Sequence, residues 1–123
     1  MLTEDLAAIR TENRALRAKF VATHPCMEAT EGQADWLKSK AIFAVTHKGR
    51  QLVPAFQFDG QGRPRPIVGE LLNLLPSRLS GWQLAFWFVS SNSWLGGTAP
   101  YEVLDDALRV TAAARSEAEE IMG

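Results

Sequence analysis

The sequence predicts a mostly α-helical fold with one β-hairpin set into its first half. Three observations predict it. Residues 2–22 hold neither proline nor glycine and are rich in Ala, Leu, Arg and Glu, the composition of a long helix. Residues 42–58 place two β-branched and aromatic runs on either side of a turn containing Gly49, the pattern of a hairpin. From residue 67 onward, short apolar segments are set apart by Pro76, a polar SSNS break and Pro100, so a bundle of about four short helices is expected. A chain of 123 residues is one domain, or two very small ones sharing a core. The expected organisation is an amphipathic helix over 1–24, a helix plus hairpin over 25–62, and a helical unit over 63–123.

The first helix stops before His24-Pro25, because a residue preceding proline avoids the α region. Its apolar spacing alternates by four and three through Leu2, Leu6, Ile9, Asn13, Leu16 and Phe20. Read as heptads, Leu6, Asn13 and Phe20 occupy a positions and Ile9 and Leu16 occupy d positions. Asp5–Arg10 and Glu12–Arg17 then stand as g–e′ pairs, which meet across a parallel two-stranded coiled coil. A lone Asn at a fixes register in such dimers, so a homodimer through this face is one reading. The other is a helix laid on its own domain with Asn13 at the wet margin.

Residues 30–40 form the next expected helix, with Thr30-x-x-Gln33 as a capping box and Trp36 and Leu37 as its apolar contribution. The hairpin follows, with strands over 42–45 and 50–58 and a turn over 46–49. Pro54 has no N–H for a ladder, so it marks an edge or a strand's end. DGQGRPRP, residues 59–66, breaks the chain. Helices are then expected over 67–75, closed by Pro76, and over 81–90, opened by the capping box Ser80-x-x-Gln83. The latter is apolar nearly all round and should be the central core helix. Pro100 starts a turn to Leu104, and Asp105 or Asp106 caps a last helix to about 121.

Composition excludes several functions. Hydrophobic content of 46%, charged content of 22% and a net charge of -1 fit a soluble globular chain without a global field toward nucleic acid or membrane. One cysteine, Cys26, permits no intrachain disulfide, which suits a reducing cytoplasm. No signal peptide and no membrane-spanning run are read. His24 and His47 lack neighbouring ligands at metal spacing, and no nucleophile or acid–base set converges. Neither metal, cofactor nor catalysis is expected.

Charge is uneven, however. Residues 36–66 carry six basic side chains against Asp59 alone, whereas the chain after Pro66 carries three basic against seven acidic. Lys38 and Lys40 end the second helix, and Lys48 and Arg50 sit at the hairpin tip. That is the layout of a winged helix-turn-helix, in which a helix enters the major groove and the wing touches phosphate. The plainer reading is that Lys and Arg decorate any exposed turn. A second feature is the connector SSNSWLGGTAPYEVL, residues 90–104. Trp94 and Leu95 precede Gly96-Gly97, which permit positive φ. A Trp exposed on a rigid loop is an interface anchor; folded inward, it would plug the end of the bundle.

Trp87, then Trp94-Leu95-Gly96-Gly97, Pro100 and Val103-Leu104, form an ordered series. With Pro54-Ala55-Phe56-Gln57-Phe58-Asp59, Gly62, Pro64 and Gly81-Trp82-x-Leu84-Ala85-x-Trp87, it resembles the toxin-binding domain of Xre/MbcA/ParS-type antitoxins, in the variant with a preceding hairpin. The match spans about residues 36–114. The resemblance implies a protein that binds and neutralises a RES-domain, NAD-consuming toxin, and that in many members represses its own operon. It implies a docking face from Trp87, Trp94, Leu95, Gly96, Gly97, Pro100 and Tyr101, with a C-terminal segment including Arg115 and Glu119 reaching the toxin's cleft. The N-terminal part departs from the family's multi-helix DNA-binding domain. The alternative is a winged-helix regulator working through Lys38, Lys40, Lys48 and Arg50, with the helical unit as an accessory.

Overall fold

The computed structural model describes the backbone of residues 2–122 and the side chains of residues 12–120. Five α-helices, three short strands and several 3-10 turns follow one another along the described chain. Helix α1 (Leu2–Thr23) runs as expected and ends with the His24 N–H on the Phe20 carbonyl, 2.8 Å away. The side chains of Leu6 and Ile9 lie outside the described residues. Asn13 and Leu16 are exposed, Leu16 at 50%. Phe20 is only 3% exposed, with its ring 5.6 Å from Trp82 and 6.3 Å from Phe86 in edge contacts. The last turns of α1 are therefore laid on their own domain, and Phe20 is not free for a partner helix.

Strand β1 (Cys26–Glu28) is a correction to the sequence reading, which expected no strand before residue 42. Three residues carry too little periodicity to announce themselves. A 3-10 turn (Glu31–Gln33) leads into α2 (Ala34–Lys38), so the expected helix over 30–40 is shorter. The Thr30 N–H donates to Gln33 Oε1 at 3.0 Å, as the capping box requires. Lys40, at φ 61, closes α2. The Lys40 N–H reaches the Leu37 carbonyl and the Ala41 N–H reaches Trp36, a Schellman motif built on a lysine where glycine is usual.

The hairpin is shifted in register from the expectation. Strands β2 (Val45–His47) and β3 (Arg50–Pro54) flank a two-residue loop, with Lys48 at φ 51 and Gly49 at φ 74. Two left-handed residues match the twist of a tight hairpin. β3 is central, with order β1-β3-β2 and both pairings antiparallel. Pro54 thus ends a strand but is not on an edge. Ile42 and Phe43, expected in a strand, plug the core instead. Residues expected to extend the second strand turn into a 3-10 turn (Ala55–Gln57).

Gln57 explains that departure. It is fully buried, accepts the Phe43 N–H at 2.7 Å, and donates to the Phe43 and Pro54 carbonyls. One amide thereby stands in for a strand partner. In the following loop Asp59 Oδ1 accepts the N–H groups of Gln61 and Arg63. The Arg63 bond first, then the Gln61 bond, hold its carboxyl below the usual range.

Helix α3 (Pro66–Leu74) starts on a proline and stops before Pro76. Helix α4 (Gly81–Val89) carries the expected capping box, with the Gln83 N–H on Ser80 Oγ and the Ser80 N–H on Gln83 Oε1. It is the core helix: Trp82, Ala85 and Phe88 are buried, and Phe88 packs against Phe43 and Phe56. Helix α5 (Ala107–Met122) packs on α3. Asp106 caps it, accepting the Arg109 N–H, while Asp105 takes Arg65 Nη2 at 2.6 Å. The core joins Phe20, Phe43, Val68, Trp82, Leu104 and Val110, so all three expected segments share it. Among the described residues no helix is long and apolar enough to cross a membrane.

Candidate functional site

The connector between α4 and α5 is a loop braced by its own polar groups. Asn92 is buried and its Oδ1 accepts the Trp94 N–H at 2.9 Å. Its carbonyl accepts from Leu95 and Gly97, and its N–H donates to Thr98. Ser91 Oγ closes the loop onto the Gly97 carbonyl at 2.8 Å. Gly96 at φ 65 and Gly97 at φ 94 are both left-handed, which side chains other than glycine adopt at a cost. A 3-10 turn (Ser93–Leu95) then sends two adjacent apolar residues opposite ways. Leu95 is 1% exposed and Trp94 is 53% exposed.

Trp94 is therefore outward, on a backbone whose ordering cost is already met. It lines an open cleft of about 450 Å³ with Phe86 and Trp87 of α4, residues 90–93, and Glu117 and Glu120 of α5. The Trp87 Nε1–H is buried without a hydrogen-bond partner among the described residues. Such a group is unusual in a finished core.

The structure sorts the predicted residues. Trp87 and Trp94 meet at this cleft. Leu95 and Pro100 are buried and do not line it. Tyr101 turns inward, its ring 5.1 Å from His24 and 5.7 Å from Phe56. Arg115 and Glu119 are exposed on the α5 stripe that carries Leu108, at 87% exposure. The acids beside Trp94 are Glu117 and Glu120. Helical phase relative to α4 decides that, and it is not written in the α5 sequence.

Lys38, Lys40, Lys48 and Arg50 are all exposed. Arg50 Nε lies 3.5 Å from Glu28 Oε1 across the sheet. α2 has five residues, and β1 with a 3-10 turn lies between it and α1. His24 meets the Tyr101 ring, and the Cys26 thiol donates to the His24 carbonyl at 3.3 Å. Burial holds the His24 imidazole below its usual value and pushes the Cys26 thiol up, which makes the thiol less reactive. Among the described residues no three His, Cys, Asp or Glu side chains gather at metal-ligand spacing. No family model, curated protein or solved structure matches the chain.

Proposed function

We propose that this chain is an antitoxin-like binding protein that neutralises a RES-type, NAD-consuming toxin through the face around Trp94. The observation that carries the reading is an outward tryptophan on a loop held rigid by Asn92, Ser91 and two left-handed glycines. With Leu79, Phe86 and Trp87 it lines one continuous cleft, and a contiguous apolar surface marks an interaction site. About half of a tryptophan's surface, roughly 130 Å² at ~25 cal/mol per Å², is worth about 3 kcal/mol on burial. That is the scale of an interface hot spot. Glu117 and Glu120 at the rim give the face a negative side, complementary to a cleft that holds an anionic dinucleotide.

The test is co-expression with the product of the neighbouring gene, followed by sizing and an NAD-consumption assay. A stable complex that stops NAD loss is expected. Trp94→Ala should weaken it by roughly 30-fold to several hundred-fold, the range of a hot-spot truncation of about 2–4 kcal/mol. Full inhibition by Trp94→Ala would refute the role given to this face.

A second reading is a winged-helix regulator. It is supported by α2 leading into a hairpin with Lys38, Lys40 and Lys48 exposed along the path. The brevity of α2 and the engagement of Arg50 by Glu28 count against it. Operator affinity that falls steeply with salt, and falls again in Lys38→Gln, is its expected signature.

A further inference from the structure

We propose that the cleft between α1 and the hairpin tip is a phosphate-binding site. It lies apart from the Trp94 face and shares only Lys48 with the basic residues of the winged-helix reading. The cleft is open, of about 450 Å³, and is lined by Asn13, Arg14 and Arg17 of α1 and by Thr46, His47 and Lys48 of the hairpin. Three permanent cations and an imidazole converge from two elements, and no described carboxylate lines the space. None of Arg14, Arg17 or Lys48 enters a salt bridge with a described residue. Like charges crowded together repel, and an anion between them relieves that repulsion.

Two details mark the cleft as built. The Arg17 guanidinium stands over the Trp82 ring, 5.3 Å from its centroid. Trp82 is itself pinned by its Nε1–H on the Thr46 carbonyl at 2.8 Å, and the His47 ring meets it edge-on. A guanidinium held over an aromatic ring keeps its N–H fork available, and that fork can grip phosphate oxygens in pairs. Lys48 is held at φ 51 in the hairpin loop, where Asn or Gly would be less strained.

Phosphate of this kind is carried by a nucleic-acid backbone or by a small free anion. The full chain, isotope-labelled, is titrated at low salt with sodium pyrophosphate and separately with a 20-base-pair duplex. Arginine side-chain N–H signals and backbone amides are followed by NMR. Shifts confined to Arg14, Arg17 and residues 46–48 are expected. Arg14→Gln and Arg17→Gln should each weaken binding about tenfold, with the thermal midpoint checked for folding. Arg17→Lys, which keeps the charge and loses the fork, should fall between. Arg63→Gln, exposed and outside the cleft, should bind as wild type. Saturation by the duplex alone, with a salt slope reduced by about one per removed contact, assigns a polymer backbone. Tighter binding of pyrophosphate assigns a free anion. No shift with either probe, the same shifts with sodium chloride at matched ionic strength, or unchanged binding in both Gln variants would overturn the site.

Discussion

Replacing Gly81 with alanine sets helix propensity against tertiary packing, and the structure says which wins. Gly81 is the first residue of α4, just inside the Ser80 cap. In an exposed helix, alanine for glycine stabilises by about 0.5–1 kcal/mol. Here an added Cβ would lie 1.9 Å from the Ala44 carbonyl oxygen and 3.1 Å from its carbon. Both are backbone atoms that no rotamer change can move. Relief requires α4 to lift off the start of β2. That motion strains the Trp82 bond to Thr46 and opens the contact with Val45, 1% exposed. Overpacking costs about 1–3 kcal/mol and a weakened buried hydrogen bond about 1 more, so a net loss of about 2–3 kcal/mol is expected. Gly69, within α3, is the internal control. Its added Cβ would meet Ala41 Cα at 3.6 Å and the Lys40 carbonyl at 3.7 Å, ordinary contacts, so Gly69→Ala should stabilise by up to about 1 kcal/mol. Urea unfolding with matched m-values decides between them. A Gly81→Ala protein as stable as wild type, or a Gly69→Ala protein less stable than Gly81→Ala, would refute the packing argument.

Gln57→Leu leaves the Phe43 N–H and C=O without their partner and should cost about 3 kcal/mol; a loss under about 1 in the same urea assay would mean the segment re-pairs on its own. Lys40→Gly relieves a left-handed φ of 61 and should raise stability by about 0.5–1 kcal/mol, read as a higher thermal midpoint; a lower one would show that the lysine side chain contributes more than its strain costs. His24 has a lowered pKa in the fold because burial disfavours its charged form. The unfolded chain therefore takes up the proton first, so stability is lost as pH falls below about 6.5, down through the folded value. His24→Phe should flatten that part of the stability curve, and an undiminished slope there would place the effect on another group.

The sequence by itself determined what depends on neighbours a few residues apart. The helix cap at Ser80, a cap at Asp105 or Asp106, the stops at Pro25 and Pro76, and a turn within residues 46–49 all rest on local bonds and allowed φ values. Each was legible because the residues that make the bond are the residues that announce it. Tertiary structure decided the rest. Strand β1 exists because β3 offers it an edge, and Gln57 matters because Phe43 lies across from it. The heptad of α1 could not announce that Phe20 would be claimed by Trp82 and Phe86. Nor could SWLGG say which of Trp94 and Leu95 would face water, since both are large and apolar. That choice follows from the Asn92 brace and from where α5 docks. The cationic cleft was hidden for the same reason: Arg14 and Arg17 stand some thirty residues before Lys48, and only the packing of α1 against the hairpin, through Trp82, brings their charges together.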